Sequence, residues 1–189
     1  MKRTFLLSAA MSLIAVAANA SETEQAARSY LKGSVMPWAN APVLIEAIVA
    51  QNARTAGYDA SKIDELDKTW RSEVGAGASA LVDGVLTGAA AEFLREQVEG
   101  SGGAITEVFI MDHHGLNVAA SAPTSDYWQG DEAKFQETFP NGADAVHVSE
   151  IEFDESSQSY QAQLSITLTD DTGAPVGAMT IGIDADALL

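Results

Sequence analysis

The chain has 189 residues and no cysteine, with 27 Asp and Glu against 10 Lys and Arg, a formal charge of −17 at pH 7. The length suits one domain with its own core. The charge argues against nucleic acid and anionic membranes, and the missing cysteines exclude disulfide scaffolds and thiol chemistry.

Residues 1–20 read as a secretory signal. Lys2 and Arg3 form a basic start, 4–17 is an apolar run, and Ala18-Asn19-Ala20 is a small-residue cleavage site. Cleavage after Ala20 leaves 189 − 20 = 169 residues, with 8 basic against 27 acidic side chains, or −19. No later run reaches the roughly 18 apolar residues of a spanning helix. The expected location is periplasmic or secreted.

Residues 21–103 read as helical. Ala26, Ala27, Tyr30 and Leu31 lie at helix spacing, and Pro37 predicts a break or kink. Asn40 is a candidate cap for a helix carrying Leu44, Ile45, Ile48 and Val49. Ser61 is placed as the cap of the next helix, whose face is Ile63, Leu66, Trp70 and Val74. A short helical piece covers 79–86. Thr87 is a candidate cap for a last helix with Ala90, Phe93, Leu94 and Val98 inward. Trp38 and Trp70 sit in apolar register and read as core anchors.

The pattern changes at Ile105. Val108 to Met111 is continuously apolar, as in a strand covered on both faces. Asp112-His113-His114-Gly115 makes a tight turn, and 117–121 pairs back. A polar, aromatic loop follows, then a short helix over 130–139. Residues 146–153 form the next strand. In 160–168, Tyr160, Ala162, Leu164, Ile166 and Leu168 alternate with polar residues, the mark of a half-buried antiparallel strand. Asp170 to Gly173 turns into a last strand, 176–183, where Gly177 and Gly182 permit close backbone approach. The expected fold is α+β: a five-stranded, mainly antiparallel sheet over 104–189, with the 21–103 helical region packed on it.

His113 and His114 beside Asp112 raise the question of a metal. Neighbours in a hairpin turn are expected to point apart, and a closed site needs three or four ligands on a rigid frame. An exposed turn is therefore the expectation, with no metal and no cofactor. There is no nucleophile elbow and no phosphate-binding glycine loop. No enzyme activity is expected.

Residues 121–132 are the richest stretch, with Ser121, Thr124, Ser125, Asp126, Tyr127, Trp128, Gln129 and Asp131 close together. Aromatic walls with a few polar groups make a small-molecule pocket. The same residues also suit a structural cap, with Trp128 plugging the sheet and Asp131 starting the next helix. After Arg95 the only Lys or Arg is Lys134. Dicarboxylate pockets normally use arginine, so a neutral, zwitterionic or amine-bearing ligand is favoured unless an arginine from the helical half reaches the site.

The strand pair FIMDHHGLNVAAS, the segment TSDYWQGDEAKF and the closing VGAMTIGID together resemble the extracytoplasmic Cache (PAS-like, PDC) sensor domains of chemoreceptors and sensor kinases. The resemblance covers most of the mature chain and is weakest before Ile63. It implies a central antiparallel sheet backed by a long helix, with a pocket between the sheet and the segment joining its second and third strands. That segment makes Asp126, Tyr127, Trp128 and Asp131 the candidate ligand-binding residues, with Ser121, Thr124, Tyr160 and Asp170 as further ones. The last strand ends close to Leu189, so the expectation is a freestanding exported sensor. It would bind a small solute and act through a separate membrane receptor, kinase or cyclase, and a homodimer through the long helix is a further expectation. The alternative is a ligand-free protein-interaction module of the cell envelope.

Overall fold

The computed structural model describes residues 22–154 and 157–188. The expected signal segment lies outside the described residues. Helix α1 spans Glu22–Ala39 and meets α2, Pro42–Thr55, at 74°. Three helices follow: α3, Ala60–Glu73; α4, Ala80–Leu86; and α5, Ala89–Gly100. Among the described residues no single helix is long and apolar enough to cross a membrane.

The break expected at Pro37 takes another form. Leu31–Val35 is a π-helical turn, in which the Met36 N–H bonds to the Leu31 carbonyl. The wider turn lets the helix run on through Pro37, which has no N–H to donate. The caps also differ from those expected. Asp59, not Ser61, starts α3, its carboxylate accepting the Lys62 N–H at 2.9 Å. Gly88, not Thr87, precedes α5, and the Thr87 hydroxyl donates back to Asp83 O. Ala41 precedes α2, while Asn40 bonds to Thr169 across the fold.

The sheet contains β1, Ile105–Met111; β2, Asn117–Ala120; β3, Val146–Val148; β4, Glu152–Asp154; β5, Ser159–Thr169; and β6, Pro175–Asp184. A short helix α6, Ala133–Gln136, and a 3-10 turn, Phe139–Asn141, lie between β2 and β3. The order is β2-β1-β6-β5-β3, with β4 also on β5, and every pair is antiparallel. The fold class is as expected, but there are six strands among the described residues rather than five. The strand expected over 146–153 is broken. Ser149 Oγ accepts the Gln163 N–H at 2.8 Å, so a side chain replaces a rung of the ladder.

Alternating residues of β1 serve two cores. Val108 and Ile110 join the helices' core, with Ala27, Leu31, Leu44, Ile48 and Leu94. Phe109 and Met111 join the opposite one, with Trp70, Leu116, Tyr127 and Phe135. That two-sided burial is what the unbroken apolar run required. On β6, a side chain at Gly177 would collide with the Met111 carbonyl oxygen and press on Ile48 at 3.0 Å. Gly177→Ala is therefore expected to lose about 1–3 kcal/mol, seen as a lower urea midpoint at unchanged slope.

Candidate functional site

The segment between β2 and α6 lies across the sheet and is tied down at many points. The Asp126 carbonyl oxygen accepts from Asn117 Nδ2 (2.9 Å), Thr124 Oγ1 (2.7 Å) and Gln129 Nε2 (2.8 Å). From α3, Asp67 Oδ1 accepts the N–H groups of Tyr127 and Trp128 at 3.0 and 3.1 Å. Trp70 Nε1 donates to the Thr124 carbonyl at 2.8 Å, and its ring stacks on Tyr127 with centroids 5.7 Å apart. Trp128 Nε1 donates to His114 O at 2.8 Å. The loop is thus pinned from the helical half and from the β1–β2 turn.

What it covers is informative. The second face of β5 carries Gln161, Ser165 and Thr167, all buried, beside buried Thr180 of β6 and Glu107 of β1. The alternation expected to be half solvated is covered on both sides. A buried polar face calls for explanation where an exposed apolar one does not. Part of it is internal pairing: Ser165 and Thr180 hydroxyls lie 3.0 Å apart, and Gln161 Nε2 donates to Glu107 Oε1 at 2.9 Å. Gly182 leaves the space for this, since a Cβ there would strike Thr106 Oγ1 and Gln161 Oε1.

Beside this face runs a groove of about 310 Å³ between the loop and the β3–β4 edge, lined by Ser125, Asp126, Lys134, Phe153, Asp154 and Gln163 among others. A recess of about 30 Å³ shares Ser125, Lys134, Asp154 and Gln163 with it and reaches Glu107, Phe109, Thr124 and Gln129. Lys134 Nζ sits 2.9 Å from Glu132, donates to Gln129 Oε1 at 3.2 Å, and lies 5.6 Å from the Phe109 ring centre. Burial raises the pKa of Glu107, and the Asp154 charge adds to this, while Gln161 and Lys134 oppose it. A polar recess with one ammonium, neighbouring carboxylates and amide donors can hold and orient a small polar molecule.

The raised Glu107 pKa fixes the sign of a pH effect. Between its ordinary value of 4.5 and the raised one, the folded chain holds a proton that the unfolded chain releases, so this group's contribution falls as pH rises. Glu107→Gln removes that loss and keeps an oxygen for Gln161. Its melting temperature relative to wild type is expected to improve as pH rises above 4.5 and then to level off above the raised pKa. A pH-independent difference would show that Glu107 titrates as an ordinary carboxylate.

A second cavity, of about 460 Å³, opens on the other side of the loop against α3, lined by Ile63, Asp64, Asp67, Arg71, Asp126, Trp128 and Asp131 among others. The expected site residues are therefore divided. Thr124 is in the recess, Asp126 lines both the groove and the α3 cavity, and Trp128 and Asp131 line the α3 cavity. Tyr127 is buried, and burial, with Asp112 and Tyr58 nearby, raises its pKa strongly. Ser121 closes the β1–β2 pair, its Oγ accepting the Val108 N–H at 2.9 Å. Tyr160 is 63% exposed against Phe153, and Asp170 belongs to the β5–β6 turn, where the Thr172 hydroxyl and neighbouring N–H groups lower its pKa. Neither lines the groove or the α3 cavity. Asp131 caps nothing: α6 starts from Glu132.

The histidine turn differs from the exposed hairpin expected. The two rings lie together, 4.0 Å between centres, and both are partly buried on α2. His113 Nδ1 is 2.6 Å from Asn52 Oδ1, and His114 Nε2 is 3.0 Å from Thr55 O. Burial lowers the pKa of His113, and the His114 charge adds to it. Among the described residues no three His, Cys, Asp or Glu gather as metal ligands. Asp67, Arg71, Glu107, Lys134 and Gln163 complete the surroundings of the loop and were not among the expected residues. Only Lys134 carried a signal, as the sole late cation.

No protein-family model and no curated protein matches the sequence. The structure is similar to the ligand-binding domain of the Campylobacter jejuni chemoreceptor Tlp3 in complex with 4-methylisoleucine, at 10% identity, TM-score 0.42, 89% of this chain and 62% of that one. It is similar to the V. cholerae histidine kinase DctB sensor domain, at 12% identity, TM-score 0.41, 90% and 58%. The Pseudomonas fluorescens chemoreceptor CtaA ligand-binding domain, in complex with L-alanine, matches at 11% identity, TM-score 0.40, 78% and 57%. The chain spans about three fifths of the length of each. These are the ligand-binding domains of two chemoreceptors and the sensor domain of one histidine kinase.

Proposed function

We propose that this chain is a Cache-like extracytoplasmic sensor that holds a small solute in the groove between its loop and the polar face of its sheet. The observation that carries this reading is the burial of Glu107, Gln161, Ser165, Thr167 and Thr180 beneath the 121–141 segment, which leaves a polar recess at Glu107 and Gln163. A cover serving stability alone would more economically meet apolar residues. Thr124, Ser125, Asp126, Gln129, Lys134 and Gln163 contact the solute in this reading. Trp128 and Asp131 support the loop from the α3 side. In this reading residues 1–20 are a secretory signal, and the protein works in the periplasm or outside the cell, where a membrane receptor, kinase or cyclase reads its bound state. Binding acts by differential affinity for two loop positions.

A thermal-shift panel of amines, amino acids, carboxylates and sugars tests the reading. At least one solute is expected to raise the midpoint, and Gln163→Leu to remove that shift. No shift across the panel, or a hit indifferent to Gln163→Leu, sinks it. A ligand-free interaction module is the second reading, favoured by one observation: Phe153 and Tyr160 form an edge-to-face pair at 5.3 Å while 50% and 63% exposed. Pull-down from periplasm with and without low-molecular-weight extract separates the two.

A further inference from the structure

Asp126 lines both the groove and the α3 cavity, as Glu132 does, so these two residues stand between them. Asp126 Oδ1 is 3.2 Å from Arg71 Nη1, and its Oδ2 accepts from Ser125 Oγ at 2.7 Å. The pair is not sealed: the Asp126 and Arg71 side chains are 28% and 54% exposed. Arg71 also bonds to Asp67 of its own helix, so it keeps a partner if it releases Asp126. Half-exposed pairs of this kind are weak and exchange readily. On the groove side, Lys134 is already held by Glu132 and Gln129. A cationic group entering the groove would meet Asp126, Glu152 and Asp154, while the one lysine there, Lys134, is paired with Glu132.

We infer that Asp126 is a carboxylate shared between the Arg71 guanidinium and the ammonium of an amine solute, so that α3 registers the solute through the loss of its Arg71–Asp126 link. This rests on the groove being the solute site and adds the ligand class and the route of the signal. Arg71 competes with the solute. The competition is reciprocal, as any coupling between two binding events must be. The freed guanidinium, at the C-terminal end of α3, changes a surface that a partner can read.

The test is calorimetric titration of the full exported chain with putrescine and with its neutral counterpart 1,4-butanediol. Putrescine is expected to bind at least about tenfold more tightly, the value of one hydrogen bond to a charged group. Asp126→Asn is expected to erase that preference. Arg71→Gln, which keeps the side-chain stem, is expected to tighten putrescine several-fold because the competitor is gone. Arg71→Gln at unchanged or weaker affinity overturns the inference, as does equal binding of the two probes. If putrescine fails while a neutral or anionic member of the thermal-shift panel binds, the shared carboxylate falls and the sensor reading stands. If nothing in that panel binds, both fall. Should Asp126→Asn not fold, the Arg71→Gln titration decides alone.

Discussion

Trp70→Ala is expected to cost about 3–5 kcal/mol of folding free energy, the range for emptying a fully buried large aromatic site. Trp70 has no exposed surface and joins α3 to the loop in two ways. Its ring stacks on Tyr127, and its Nε1 is the donor that satisfies Thr124 O. Truncation opens a cavity between helix and loop and leaves that carbonyl unpaired, so the two losses add. For a domain of this size the melting temperature should fall on the order of 10 °C. Trp70→Phe separates the parts: it keeps the stack, loses the donor, and should cost about 1–2 kcal/mol. Urea unfolding of both variants gives the comparison. A loss below about 1 kcal/mol for alanine would mean that the loop holds its position without Trp70.

Asp112→Ala is the second. Asp112 is fully buried, and all four of its observed partners are donors. Oδ1 accepts from the N–H groups of His114 and Leu116 at 2.9 and 3.0 Å, and Oδ2 from Thr55 Oγ1 and Gln51 Nε2 at 2.9 and 3.3 Å. Alanine leaves those donors in a place water does not reach, at about 3 kcal/mol or more in total. Asp112→Asn is milder, roughly 1–2 kcal/mol. Its oxygen still serves the two backbone N–H groups, and Thr55 Oγ1 can accept from the new amide while donating to Gln51 O. Gln51 Nε2, which also donates to Asn117 O, loses its acceptor there. Equal losses for Asn and Ala would show that the negative charge, rather than the acceptor geometry, is what the turn needs.

Asp112 also shows how a motif misleads. Asp-His-His in a turn suggests a metal, and the tight-turn reading suggests exposure. Instead the turn docks on α2, with Asp112 beneath it and both imidazoles hooked to Asn52 and Thr55. These contacts join residues some 57 to 61 positions apart. No local pattern contains them.

The loop teaches the same lesson in finer detail. Its richness in Tyr, Trp and Asp marked it for function, but composition does not say which way each side chain turns. Tyr127 went into the core against Trp70, Trp128 and Asp131 turned to α3, Thr124 reached the sheet side, and Asp126 lies between the two. An arginine was named as the group that would alter the ligand argument if it came from the helical half. Arg71 comes from that half, but it meets Asp126 from the α3 cavity, at 3.2 Å, and does not line the groove.

From sequence alone the α+β class, the two-sided burial of β1, the turn at 112–115 and the close backbone approach at Gly177 were readable, while at Gly182 the side chains of Thr106 and Gln161 take the space instead. Each follows from short-range rules: period two in strands, three to four in helices, and glycine where backbones touch. Tertiary structure alone decided the rest. The polar side of β5 looked like a solvated face because alternation records only that two faces differ, not what covers each. The loop, α6 and the 3-10 turn after it cover that face, and the loop is held by Asp67 and Trp70 from a helix roughly 60 residues earlier in the chain. Glu107, Gln161 and Gln163 become a candidate site through that cover, since burial is a property of the assembled layers and not of any one strand.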